Sequence, residues 1–247
     1  MDNVVATIRG NAKGYAIVAD GNSDYGPFDA NVDILSGSGP LTIDVNSGTE
    51  FAGVGLTGRI RQTGTGPFAG QLAANGSGIE GDVKLSSFSG KQRAIVDATA
   101  FNTVLPGPAS LAIERAIIDA DIILYDQPQI VADVQIQGLN MQELQIAAAR
   151  AKIDYRAGQG TAKIMAEGRN KVPFRFAANA IFDPKLWRVA LDGRANGVDF
   201  KTRKAARIIP EKNQYTLLPT TIDLSKGSIQ LAGDYGRGMN IQSRLKD

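Results

Sequence analysis

Four carboxylates in the middle of the chain, Asp119, Asp121, Asp126 and Asp133, are the residues best placed for acid–base or metal chemistry. On an extended strand Asp119 and Asp121 share a face, with carboxylates about 7 Å apart. That separation would suit paired general acid and base work or a Ca²⁺ site. The same alternation puts them with Ile117, Ile123 and Tyr125, opposite Ala116, Ile118, Ala120, Ile122 and Leu124. A solvated strand face has the same pattern, and it is the reading adopted: no catalytic residue and no metal ligand is assigned. The chain holds no Cys and no His, which removes the commonest general base, the thiolate nucleophile and nearly every transition-metal site. No cofactor is expected.

Three further features could carry function. Lys201-Thr202-Arg203-Lys204-Ala205-Ala206-Arg207 is the one basic run; it could touch lipid headgroups, but a solvated loop is the simpler reading. Asp183-Pro184-Lys185-Leu186-Trp187 holds the only Trp and reads as a hairpin loop whose indole covers the sheet edge. Gly53-Val54-Gly55-Leu56-Thr57-Gly58 spells Gly-x-Gly-x-x-Gly, but no helical pattern follows it, so it carries no nucleotide-binding meaning.

Composition narrows the partners. Of 247 residues, 43% are hydrophobic and 21% charged, which fits a folded chain. Lys plus Arg is 27 against 25 Asp plus Glu, so no electrostatic footprint for nucleic acid is present. Small-molecule substrates have no recognisable site either.

The elements that would position these residues are strands. Apolar and polar residues alternate with period two from end to end. Phe28, Ala30, Val32 and Ile34 alternate with Asp29, Asn31 and Asp33. Val134 and Ile136 alternate with Asp133, Gln135 and Gln137, and Phe174 and Phe176 flank Arg175. Ile229 and Leu231 flank Gln230, and Met239 and Ile241 flank Asn240. Short turn signals such as Ala157-Gly158-Gln159-Gly160, Asp183-Pro184-Lys185 and Ser225-Lys226-Gly227 separate the runs. They recur every ~8–15 residues, the rhythm of antiparallel meanders. No apolar run reaches the ~20 residues of a membrane-spanning helix.

Two segments fit less simply. Met141–Tyr155 is rich in helix formers, and its alternation changes phase between Ile146 and Ala147; a bulged strand or a helix would explain it, with strand preferred. Phe51–Gly90 is Gly-rich and is expected to hold short strands of weakly specified register. A faint repeat of about sixty residues, Gly-x-x-apolar at Gly76, Gly138 and Gly197, suggests a repeated supersecondary unit. The start, Met1-Asp2-Asn3-Val4-Val5, lacks a signal peptide, and the end, Ile241–Asp247, reads as an uncapped strand. The expectation is one continuous segment, residues 1–247, of a longer protein.

The stretch Trp187–Phe200, then Ala206–Glu211, then Tyr215–Gly236 resembles the TamB family, the translocation and assembly module subunit, part of a wider group of AsmA-like envelope proteins. An Ile222-Asp223-Leu224 strand, a Ser225-Lys226-Gly227 turn and an Ile229–Gly236 strand follow one another as in that family's hairpins. The likeness covers roughly residues 170 to 247. It implies an elongated, curved antiparallel sheet, a β-taco groove with an apolar concave face. It also implies a periplasmic protein, anchored in the inner membrane, that supports phospholipid transport or outer-membrane protein assembly with an Omp85-type barrel.

Together these readings predict an all-β, non-enzymatic segment whose partners are phospholipid acyl chains. The groove lining expected from shared strand phase is Val134, Ile136, Phe174, Phe176, Ile229, Leu231, Met239 and Ile241. The rivals are a dry-packed β-solenoid or adhesin module and, weakest, a carbohydrate-active protein using Asp119 and Asp121.

Overall fold

In a computed structural model the chain is described over residues 2–23, 26–37, 39–105, 111–124, 128–211, 214–236 and 238–246. The described residues contain no helix, and their nineteen strands form one sheet. They are β1 (Asp2–Asn11), β2 (Gly14–Ser23), β3 (Gly26–Leu35), β4 (Thr42–Phe51), β5 (Val54–Gln62), β6 (Phe68–Gly76) and β7 (Ile79–Phe88). The longest follow: β8 (Lys91–Leu105), β9 (Leu111–Ile123), β10 (Gln129–Met141), β11 (Leu144–Arg156), β12 (Gln159–Asn170) and β13 (Val172–Phe182). The last are β14 (Trp187–Ala195), β15 (Val198–Thr202), β16 (Ala206–Glu211), β17 (Gln214–Leu224), β18 (Ser228–Tyr235) and β19 (Met239–Lys246).

Up to β14, each strand pairs antiparallel with the next in sequence. β15 and β16 then share one ladder position: both pair with β14 on one side and β17 on the other, and the meander resumes through β18 to β19. With strands spaced ~4.8 Å apart, the ladder runs roughly 80 Å. Successive turns fall alternately on two long rims. The first rim carries the turns β1/β2, β11/β12, β13/β14 and β18/β19; the second carries β2/β3, β10/β11 and β17/β18.

Several turns are two residues long with both residues at positive φ: Ala52-Gly53 (52° and 83°), Ser77-Gly78 (48° and 80°), Ser89-Gly90 (49° and 73°), Ala157-Gly158 (50° and 86°) and Asn196-Gly197 (48° and 80°). These are the values of a type I′ hairpin, whose twist matches that of the flanking strands.

The sheet is a single layer. Its accessible surface is 15605 Å², against roughly 10,500 Å² for a compact protein of the same mass. Every substantial contact between strands joins ladder neighbours. Large apolar side chains are partly exposed on both faces: Val18 and Ile181 on the polar face are 56% and 53% exposed, and mid-sheet Ile118 and Ile164 on the apolar face are 36% and 38%. Neither face is covered by a second layer of the described residues.

Irregularities keep that face apolar where the sequence changes phase. The register slips between Ile146 and Ala148, which puts Leu144, Ile146 and Ala149 on one face. Met141–Tyr155 is therefore the end of β10, a two-residue turn and the bulged strand β11, not a helix. Asn102 in β8 and Gly138 in β10 take positive φ (45° and 61°) on the same line across the sheet. In β17 the slip lies between Leu217 and Thr220. A buried Thr marks several of these breaks. Thr49 Oγ1 accepts a hydrogen bond from Asn31 N and donates to Asn31 O, each at 3.0 Å. Thr202 Oγ1 does the same with Leu191 N (3.0 Å) and O (3.3 Å). The hydroxyl thus stands in for the backbone partner that the break removes.

Three expectations are modified. The Gly-rich stretch forms full-length strands, β5–β7, with unbroken registers. Gly58 and Gly70 permit this, because a Cβ on either would lie 2.2 Å and 2.1 Å from the carbonyl oxygens of Gln71 and Arg59. Within the basic run, Arg203, Lys204 and Ala205 form an exposed connection, as a solvated loop would, but it breaks the ladder mid-sheet between β15 and β16 and does not turn at a rim. Gly76 and Gly197 adjoin second-rim hairpin turns, whereas Gly138 lies within β10.

Ala in a left-handed conformation costs about 1 kcal/mol or more, and Asn tolerates it better. Ala157→Asn is therefore expected to stabilise the chain by several tenths of a kcal/mol to about 1 kcal/mol, seen as a higher urea midpoint with unchanged slope.

Candidate functional site

The registers assemble the alternating runs into two faces of opposite character. One row of directly opposed residues runs Thr49, Leu56, Ala74, Gly81, Ala98, Ile118, Val134, Ala151, Ile164, Ala178, Leu191 from β4 to β14. None of these residues is charged. One position along the strands, on the other face, the row reads Asp82, Asp97, Asp119, Asp133, Lys152, Lys163, Asn179. Followed through the registers, the described charged residues that have a strand partner fall on this polar face.

All eight residues expected to line a groove lie on the apolar face. Ile136 stands between Ala116 and Ala149, and the row continues through Ala166, Phe176, Gly193, Phe200 and Leu224. A Cβ on Gly193 would lie 2.5 Å from the Phe200 ring and 2.9 Å from Phe176 Cβ, so the glycine makes room for both rings. Phe174 stacks on Phe176 with centroids 6.2 Å apart. Val134 occupies the neighbouring row. Ile229 and Leu231 are half-buried on β18, while Met239 and Ile241 on β19 are 72% and 51% exposed because that strand has one neighbour.

The residues that attracted attention as chemistry sit on the polar face. Asp119 and Asp121 do share it. Asp121 receives Arg93 Nε (2.8 Å) and Nη2 (2.7 Å), and Asp133 receives Arg150 Nη2 (2.8 Å). Hydrogen bonds from Arg93 and Arg150 hold these two carboxyls below the ordinary carboxylate range, as Arg59 does for Asp44 and Arg203 for Asp223. A general acid needs the opposite shift. Asp126 and Tyr125 lie outside the described residues. Among the described residues no group of acids is arranged to hold a metal ion. Gaps between long side chains leave open depressions on this face. One of about 820 Å³ is bounded by Glu114, Glu167, Arg169, Arg175 and Arg194, a mixture of signs that selects no single ligand charge.

Sequence reasoning missed an aromatic line along the first rim. Tyr155 meets Phe182 edge-on at 5.4 Å, Phe182 meets Trp187 at 5.1 Å, and Trp187 meets Tyr215 at 5.2 Å. Trp187 is the first residue of β14, half-buried between these rings, and not part of the preceding loop. The legible signal is positional: each of these aromatics is within two residues of a strand end beside a first-rim turn.

No family model matches the chain, and neither a curated protein nor a solved structure was found to match it.

Asp119 is flanked by like charges, Asp97 on one side and Asp133 on the other. Directly opposed like charges destabilise a sheet. Asp119→Asn is expected to raise stability by about 0.2–1 kcal/mol, and added salt to raise the wild-type urea midpoint more than that of the variant.

Proposed function

We propose that this chain is a segment of a TamB-like protein of the Gram-negative envelope, whose apolar face carries phospholipid acyl chains along the sheet. One observation carries the reading: a charge-free face continues through every strand, and no second layer of the described residues covers it. Monomeric soluble proteins rarely leave so large an apolar surface without a partner. Acyl chains gain about 0.8 kcal/mol per CH₂ removed from water. Many similar shallow contacts, made by Ala, Val, Ile and Leu, let a chain move from one strand to the next without a deep well to hold it. The resemblance of Trp187–Gly236 to TamB hairpins supports a periplasmic location between the two membranes, with the parent protein anchored in the inner membrane. An Omp85-type barrel is the outer-membrane partner that this resemblance brings, and support of outer-membrane protein assembly is the accompanying role.

The uncovered face also argues against the rival of a closed module. A β-solenoid stacks parallel coils around a filled core, whereas every pairing here is antiparallel and the sheet has one layer.

The test uses photo-crosslinking residues at Ile136, Phe176 or Leu231 and, as controls, at Gln135 or Arg175 on the polar face, in cells with labelled phospholipid. Adducts confined to the first three are expected. Equal labelling of both faces, or none, would remove the lipid-carrying reading.

A further inference from the structure

The two rims of the apolar face differ in the chemistry of their aromatic residues. The described tyrosines, Tyr15, Tyr155, Tyr215 and Tyr235, and the single Trp187 all stand on the apolar face beside first-rim turns. Near the second rim the aromatics on that face are Phe residues, such as Phe28, Phe51 and Phe174. The four tyrosine hydroxyls take no hydrogen bond from described residues. Tyr and Trp concentrate where an apolar region meets a polar one, because their rings are apolar and their tips need a polar partner. Behind Trp187, Arg188 and Arg207 are directly opposed, and neither has an ion pair among the described residues. Of the acids near that rim, Asp154 is paired with Arg156 Nε at 2.8 Å, while Asp183 accepts from Lys185 N at 3.1 Å and Asp234 from Thr216 Oγ1 at 2.6 Å. The lip therefore offers tyrosine hydroxyls without a described partner, with two guanidinium groups on the polar face behind it, next to an apolar face that offers neither.

We infer that the first rim is a headgroup lip: a phospholipid lies across the strands with its phosphate and glycerol at the Tyr155–Trp187–Tyr215 line and its tails running toward the second rim. The dimensions agree. A tail of one leaflet spans about 15 Å, half the hydrocarbon core of a bilayer. Ile164 lies on the apolar face between Ala151 and Ala178, four residues along β12 from Gly160 at the lip, about 13 Å away. The inference rests on the lipid-carrying reading and adds a fixed polarity to it.

The lone Trp supplies the measurement. The full chain is mixed with phosphatidylglycerol carrying a nitroxide either near the carbonyl end or near the methyl end of one tail, and tryptophan fluorescence is read. The carbonyl-end label is expected to quench Trp187 about twofold more strongly than the methyl-end label. In the double variant Trp187→Phe, Ile164→Trp the order should invert, and in Trp187→Phe, Ile181→Trp, with the probe on the polar face, neither label should quench. Equal quenching by both labels at both apolar-face positions, or the reversed order, would overturn the fixed polarity and leave lipid carriage standing. No quenching at either apolar-face position would remove both.

Discussion

A single-layer sheet has only its ladder to hold it together. Each strand is stabilised by the backbone hydrogen bonds and side-chain pairs it makes with two neighbours, and no facing layer corrects an error of register. Because side chains alternate with period two, a slip of one residue would turn a charged row inward and an apolar row outward. The rest of the structure depends on preventing that over nineteen strands. The breaks in β8, β10, β11 and β17 do it locally: where the sequence changes phase, a residue of positive φ (Asn102, Gly138) or a register slip (β11, β17) returns the apolar set to its own side. At the interruptions of β4 and β15, Thr49 and Thr202 bond with their hydroxyls to the backbone of Asn31 and Leu191, in place of the ladder partner.

The division of labour between faces follows from the same constraint. The polar face is joined by diagonal pairs such as Arg93–Asp121 and Arg150–Asp133, each at least partly in water. Exposed pairs of this kind stabilise weakly, by up to ~1 kcal/mol, and their sum helps to set register more than to hold the fold. Solvation also explains why a row of aspartates, Asp82 through Asp133, is tolerated. The apolar face is equally open to water but carries no charge in these rows, and a single carboxylate in the row through Val134 and Ala151 would interrupt a carrier of acyl chains there.

Much of this was legible in the sequence. Period-two runs such as Phe28–Ile34 and turn residues such as Ala157-Gly158 announced antiparallel strands, and the phase change in Met141–Tyr155 announced its bulge, though propensity alone left a helix open. Other features were hidden because they are set by register. Asp119 and Asp133 were separate residues on paper; only pairing places them side by side. Thr49 and Thr202 looked like ordinary strand residues, since nothing local shows that a hydroxyl will take over a backbone bond across eleven or eighteen positions. The aromatic line joins residues from β11 to β17, and Trp187 alone read as a loop ornament. The Gly-rich stretch misled for a physical reason: the glycines that weaken local preference are the ones that let neighbouring strands close up.

The central claim is that the apolar face is open and holds lipid. It is tested most directly by placing one charge in the middle of that face and weighing the phospholipid that stays with the purified chain. Ala151→Asp is compared with Lys152→Asp, its neighbour on the polar face, by quantitative lipid extraction and by urea unfolding. The account expects phospholipid on the wild type and on Lys152→Asp, most of it lost from Ala151→Asp, and a stability change in Ala151→Asp of about 1 kcal/mol or less, because water reaches an uncovered face. Collapse of the fold in Ala151→Asp, with no phospholipid on the wild type, would contradict it and mark the face as a dry interior.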